Sequence, residues 1–175
     1  MELLERFAAG DLDAFESLFR QYQSLVFRWI LRIVRNSATA EELTVETFWR
    51  LYRAHARFDP ARGNWGAWMR RTSTNVALDH LRKTRREVPL LDDPPDGAGR
   101  GHEPGERAEL RREIERAIGL LSPRLRAAVL LALVEEEPYE NIAEALGLSV
   151  GAVKVRVFRG VRILRKQLSQ AGVHS

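Results

Sequence analysis

The 175-residue chain carries 28 basic and 24 acidic residues, is 45 % hydrophobic, and has no cysteine. This is a normal globular composition, with length enough for one ordinary domain or two small ones. The missing thiols exclude a disulfide framework, a cysteine nucleophile and a cysteine zinc site, and they agree with a reducing, cytoplasmic setting.

The charge is unevenly spread. Residues 1–87 hold 15 basic and 11 acidic residues, 88–110 hold 2 and 6, and 111–175 hold 11 and 7. Two basic blocks flanking an acidic middle suggest a polyanionic partner. The N-terminus, MELLERFAAGDLDAF, is acidic and amphipathic rather than signal-like. The longest apolar run, Ala127 to Val134, is far too short to span a bilayer, so no membrane insertion is expected.

The first long element is DLDAFESLFRQYQSLVFRWILRIVR. Phe15, Leu18, Phe19, Tyr22, Leu25, Val26, Trp29, Ile30 and Ile33 form a wide helical stripe. TAEELTVETFWRLYRA opens with Thr39 and Glu42 at capping-box spacing, and its stripe is Leu43, Val45, Phe48, Leu51 and Tyr52. After the loop FDPARGN, WGAWMRRTSTNVALDHLRKTRR predicts a third long helix. Its apolar residues do not share one face, which suggests cover on more than one side. Residues 88–107 are acidic, proline-rich and glycine-rich, and read as a linker between domains at 1–87 and 108–175.

Beyond the linker, ELRREIERAIGLL is helical. SPRLRAAVLLALV follows, with Ser122 as N-cap and Pro123 in the first helical position. YENIAEALGLSVGAVKVRVFRG then has the layout of a helix-turn-helix. Ile142, Ala143 and Leu146 face inward, Gly147 supplies the left-handed stop, and Ser149 caps the second helix with its amides near a phosphate. In that helix Val150, Val153, Val157, Val161, Leu164 and Leu168 form an apolar seam. Arg156, Arg159, Arg162 and Lys166 point away with Val155 among them, and Lys154 flanks the seam. Arginine can bond guanine or a phosphate, and valine can meet a thymine methyl. A solvated basic face is the plain alternative. The flaw in the unit is its first helix, where Pro138 replaces a capping residue and Asn141 a closing glutamate, behind Glu135 to Glu137.

In this order, GDLDAFESLFRQY, TAEELTVETFWRLYRA, NWGAWMRRTSTNVALDHLRKTRR, LLSPRLRAAVLLALV and the helix-turn-helix resemble the extracytoplasmic-function sigma factors, a two-domain branch of the bacterial sigma factors. The resemblance implies an all-α chain of two small helical domains joined by a flexible linker. It implies a non-enzymatic promoter-specificity subunit without cofactor or metal. Its partners would be the clamp helices of RNA polymerase core, promoter DNA and an anti-sigma factor. By position, Glu41, Glu42 and Glu46 would meet the polymerase, although Glu46 also has the spacing to pair with Arg50. Asn64, Trp65, Asn75, Asp79, Arg82, Lys83, Arg85 and Arg86 would serve −10 DNA, with Asn64 and Trp65 receiving a flipped base and Asp79 orienting Arg82 or Lys83. Trp65 and Trp68 also fit a hydrophobic core. Ser149, Lys154, Val155, Arg156, Arg159 and Arg162 would serve −35 DNA. Thr72 and Thr74 depart from the family pattern, which suggests a different promoter preference.

Overall fold

A computed structural model describes residues 2–87 and 105–172, with side chains left out at 85–87. Nearly all of the described chain is helical, and it forms two compact units, Met1–Leu91 and Asp92–Ser175.

The N-terminal unit is built on three long helices. A short helix, α1 (Leu3–Ala8), precedes α2 (Leu12–Val34), which Asp11 caps by accepting from the amides of Asp13 and Ala14. Arg6 pairs with Asp11 at 2.7 Å and so ties α1 to the start of α2. Arg35 adopts the left-handed conformation and ends α2. Asn36 then caps α3 (Ser37–Arg53), its Oδ1 accepting from Thr39 N at 2.9 Å. The helix therefore begins before the Thr39 box read in the sequence. The extended backbone a cap requires lies at Asn36, because α2 ends at Val34 and only its left-handed cap, Arg35, intervenes.

A 3₁₀ turn at His55–Arg57 leads into a tight loop and α4 (Trp65–Glu87). The loop needs glycine at 63, since a Cβ there would lie 2.7 Å from both Asp59 O and Phe58 Cε2. Helix α4 packs against both α2 and α3, which explains its scattered apolar pattern. Met69, Ser73, Thr74, Val76 and Ala77 are all buried. Phe7, Leu18, Ile30, Ile33, Phe48 and Leu51 complete the core.

The C-terminal unit contains α5 (Glu106–Gly119), α6 (Pro123–Val129), α7 (Tyr139–Leu146) and α8 (Val150–Gln170). Helix α5 begins at Glu106, with Gly105 at its cap and Glu106 and Glu109 in its first turn. Its start thus lies inside the span read as linker, and residues 88–104 lie outside the described residues. Ser122 caps α6 and Pro123 occupies its first turn, as expected. A wider π-helical turn, Leu130–Val134, extends α6.

Arg126 is buried although charged. Its guanidinium donates to the carbonyls of Ile118, Gly119 and Leu121 at 3.2, 3.0 and 2.9 Å. Ile118 O already accepts from Leu121 N, so the cation chiefly satisfies the Gly119 and Leu121 carbonyls, and it favours the C-terminal end of the α5 dipole. Helix α6 crosses α8 at Gly160, where a Cβ would lie 2.3 Å from Val129 Cγ2. No described helix is long and apolar enough to cross a membrane, and no described group of three His, Cys, Asp or Glu residues is placed to hold a metal ion.

Candidate nucleic-acid and partner interfaces

Helices α7 and α8 form the helix-turn-helix. Gly147 ends α7 at φ 64°, Leu148 N donates to Ala143 O at 2.8 Å, and Ser149 Oγ accepts from Ala152 N at 3.1 Å. The start of α7 has no side-chain cap at Pro138. Asn141 Nδ2 instead donates to Glu137 Oε2 at 3.1 Å, tying the helix to the acidic turn before it. Ile142, Ala143 and Ala145 are buried, with Leu146 and Leu148 half-buried.

The seam of α8 faces the unit's core. Val153 and Val157 are buried, and Val150, Val161, Leu164 and Leu168 are half-buried. Gly160 belongs to the same face and went unread, because close approach of another helix leaves no trace in local sequence. On the other side Lys154, Arg159 and Arg162 are exposed, and Val155 is 48 % exposed.

Arg156 departs from the expectation that it points fully outward. It is half-buried, and its affinity for its proton is lowered, first by burial and then by the charge of Arg124. Phe158, missed in the sequence, is 68 % exposed one turn from Val155. Its signal was its register, three residues after Val155 and beside the seam rather than within it. With Leu133, Tyr139 and Val161 it lines a groove bordered by Lys154, Arg162 and Arg165.

In the N-terminal unit, Asn64 is exposed, and its Oδ1 accepts from Ala67 N at 3.1 Å, which caps the start of α4. Trp65 does not stand beside it as a stacking platform. It is only 6 % exposed and lies edge-on to Phe7 at 5.2 Å and to Trp68 at 5.7 Å. Its ring is enclosed by the aromatic core, so it offers no open face for the flipped base that the resemblance implied. Thr74 is likewise no reading surface: it is buried and accepts from Trp29 Nε1 at 2.9 Å. Its hydroxyl satisfies an indole that would otherwise be orphaned in the core.

Asn75 and Asp79 are half-buried, and Arg82 and Lys83 are exposed. Asp79 bonds Arg82, as expected, and also Arg50 of α3. Its carboxylate is thus taken by arginines. Arg85 and Arg86 continue the helical backbone of α4, but their side chains lie outside the described residues.

On α3, Glu41 and Glu42 are exposed and unpaired among the described residues. Glu46 is bound to Arg50 at 2.7 Å, with Arg53 at 3.8 Å. Val45, read as part of the inward stripe, is 48 % exposed, because its neighbours Leu43, Thr44, Thr47 and Phe48 fill the buried face. With Trp49, Leu12 and Phe15 it lines an apolar groove between α2 and α3 that sequence reasoning did not find.

Among the described residues the chain is helical, with a helix-turn-helix unit and a second unit whose last helix carries exposed Arg82 and Lys83, a pattern that DNA-binding transcription proteins share. Comparison with known families makes this specific. The Sigma-70 region 2 profile matches residues 18–87, and the Sigma-70, region 4 profile matches residues 111–164. The chain is 34 % identical to the RNA polymerase sigma factor CarQ of Myxococcus xanthus, over 95 % of this chain and 96 % of that protein. It is 32 % identical to the ECF RNA polymerase sigma factor SigE of Mycolicibacterium smegmatis, over 93 % of this chain but 66 % of that protein. It is 30 % identical to SigW of Bacillus subtilis, over 91 % of each. The chain belongs to the extracytoplasmic-function sigma factors. Among solved structures its fold is similar to that of RpoE of Bartonella quintana, in complex with the anti-sigma factor NepR, with TM-score 0.69, 21 % identity, and 90 % of this chain and 98 % of that chain covered. It is also similar to CnrH in complex with the cytosolic domain of CnrY, with TM-score 0.65, 23 % identity and 96 % of each chain covered.

Proposed function

We propose that this chain directs core RNA polymerase to a set of promoters by gripping DNA at two places. The observation that carries the reading is α8, whose seam turns inward with Val153 and Val157 buried while Lys154, Val155, Phe158, Arg159 and Arg162 stay exposed on a helix-turn-helix. Its cations meet phosphates and guanine edges of a −35 element, and Val155 meets a thymine methyl. Arg156, backed by Arg124, adds positive charge at the inner edge of that face. The N-terminal unit meets the polymerase through Glu41 and Glu42 and the groove of Leu12, Val45 and Trp49. It meets −10 DNA through Asn64, Asn75, Arg82, Lys83, Arg85 and Arg86, and capture of unstacked bases offsets strand opening, about a few kcal/mol per disrupted step. The domain boundaries follow as polymerase and −10 binding near 1–87 and −35 binding near 108–175. The chain performs no covalent step, and the polymerase transfers the nucleotides.

An anti-sigma factor that occupies these surfaces would hold the chain inactive in a cytoplasmic setting. The complex named for the RpoE structure supports that partner by analogy.

The test is transcription in vitro with purified core polymerase on a genomic template, with the start sites sequenced. A shared pair of elements upstream of the starts is the expected result. No stimulation of core polymerase, or palindromic binding by a dimer without polymerase, would overturn it.

A further inference from the structure

Four arginine and carboxylate contacts form a chain over α3 and α4, and one of them, Arg50 to Asp79, joins the two helices. Arg50 Nε donates to Glu46 Oε1 at 2.7 Å, and Arg50 Nη1 donates to Asp79 Oδ2 at 3.3 Å. Arg82 Nη2 donates to Asp79 Oδ1, and Arg53 Nη2 lies 3.8 Å from Glu46 Oε1. Two carboxylates are thus divided among three guanidiniums, and what one cation gains another gives up. Arg50 is the shared member. Its hold on its proton is raised above the ordinary value, chiefly by its hydrogen bond to Glu46 and further by Asp79, against its partial burial.

The two ends of this chain of charges face different partners. Glu46 lies on the helix proposed to meet polymerase, and Arg82 on the helix end proposed to meet −10 phosphates. We infer that Arg50 is a positioning residue that sets, through Asp79, how firmly Arg82 is held back from DNA. When a polymerase cation takes Glu46, Arg50 moves onto Asp79, and Arg82 is released to a phosphate. The inference rests on the proposed DNA role of Arg82. All the pairs are partly exposed, with Arg50 at 37 % and Asp79 at 36 % side-chain exposure, so the effect is modest. Pairs of this kind shift an equilibrium by about two- to five-fold.

A purely structural tie between α3 and α4 gives a different pattern. Losing Arg50 and then Asp79 would then add damage or change nothing more. In a positioning relay, Arg50→Gln leaves Asp79 wholly to Arg82 and weakens DNA binding. Asp79→Asn in that background frees Arg82 and restores it.

The experiment measures binding of a labelled −10 fork DNA to the full chain by fluorescence anisotropy, alone and with core polymerase. Arg57→Gln and Glu109→Gln are charge-matched controls on other elements. Expected are a two- to five-fold loss for Arg50→Gln (roughly, from the exposed-pair range), recovery with Asp79→Asn beyond that given by Glu109→Gln, and near-normal binding for Arg50→Lys. If Arg82→Gln leaves DNA affinity unchanged in the otherwise unaltered chain, the DNA role of Arg82 fails, and the relay with it. If Arg82→Gln weakens binding but Asp79→Asn does not rescue Arg50→Gln, the DNA role stands and the positioning role is overturned. Should Arg50→Gln not fold, Glu46→Gln decides. It gives Arg50 entirely to Asp79 and must raise the free chain's affinity more than Glu109→Gln does, and an equal rise overturns the relay.

Discussion

The crossing of α6 and α8 at Gly160 makes a prediction with a definite sign. A methyl at this position would start 2.3 Å from Val129 Cγ2. Ordinary carbon contacts lie at about 3.5–4.0 Å, so the helices must separate by more than an ångström or Val129 must leave its rotamer. Val129 is buried and β-branched and has little room to do so. Overpacking of this kind costs about 1–3 kcal/mol. Replacing glycine by alanine within a helix returns about 0.8–1.0 kcal/mol. A contact as short as 2.3 Å belongs to the upper part of that range, about 2–3 kcal/mol, so the net expectation is a destabilisation of about 1–2 kcal/mol for Gly160→Ala, or roughly 4–16 °C in Tm for a unit of this size. Gly151→Ala on the same helix is the control, since its Cβ would meet nothing nearer than Ser149 Oγ at 4.0 Å. It should be neutral or gain about 0.5–1 kcal/mol. All four tryptophans, Trp29, Trp49, Trp65 and Trp68, lie in the N-terminal unit, so their fluorescence reports that unit alone. Thermal circular dichroism should show an earlier transition in Gly160→Ala while the tryptophan transition stays in place. Amide exchange should quicken along α6 and α8. A Gly160→Ala chain as stable as the original would mean that the helices are not locked at this crossing, and the account of how α8 is seated would be wrong.

Arg126→Ala should destabilise the C-terminal unit by about 2–4 kcal/mol, because it removes the guanidinium donor from the Gly119 and Leu121 carbonyls and empties a buried site. Equilibrium denaturation reads this, and intact stability with weakened DNA binding would instead make Arg126 a DNA ligand. Arg156→Ala with Arg159→Ala should abolish transcription that depends on a −35 element while the chain still co-purifies with core polymerase, and an equal loss of polymerase binding would refute the division of labour. Glu42→Lys with Glu46→Lys should weaken co-purification by about ten-fold or more, since like charges set opposite a cationic partner cost several kcal/mol; an unchanged complex would exclude that face of α3. DNA affinity should fall steeply with salt, by about 0.9 logarithmic units per ten-fold rise for each phosphate neutralised. A flat response would remove the phosphate roles of Arg82 and Lys83.

Much of the architecture was legible because its signals are local. Ser122 with Pro123, Gly147 and Ser149 act on amides and carbonyls within four residues, so each reads correctly from the chain alone. The valine seam of α8 was legible for the same reason, since helical period is a local geometry. The start of α3 was misread by three residues, because Thr39 and Asn36 both offer a cap and the end of α2 chose between them.

The sequence by itself determined the helical class, the helix-turn-helix and the cationic face that suits DNA. The tertiary structure decided which polar and aromatic residues remain available. Trp65 and Thr74 carry chemistry fit for reading bases, yet packing against Phe7 and Trp29 consumes them. Asp79 looks like a partner for Arg82 alone, yet Arg50 also binds it across 29 positions that no local pattern encodes, whereas the Glu46–Arg50 pair is a single helical turn already legible in the spacing. Val45 and Phe158 look like core, yet they stand in the open because their neighbours fill the buried face first. Burial and pairing depend on residues distant in the chain, and only the folded arrangement of helices brings those residues together.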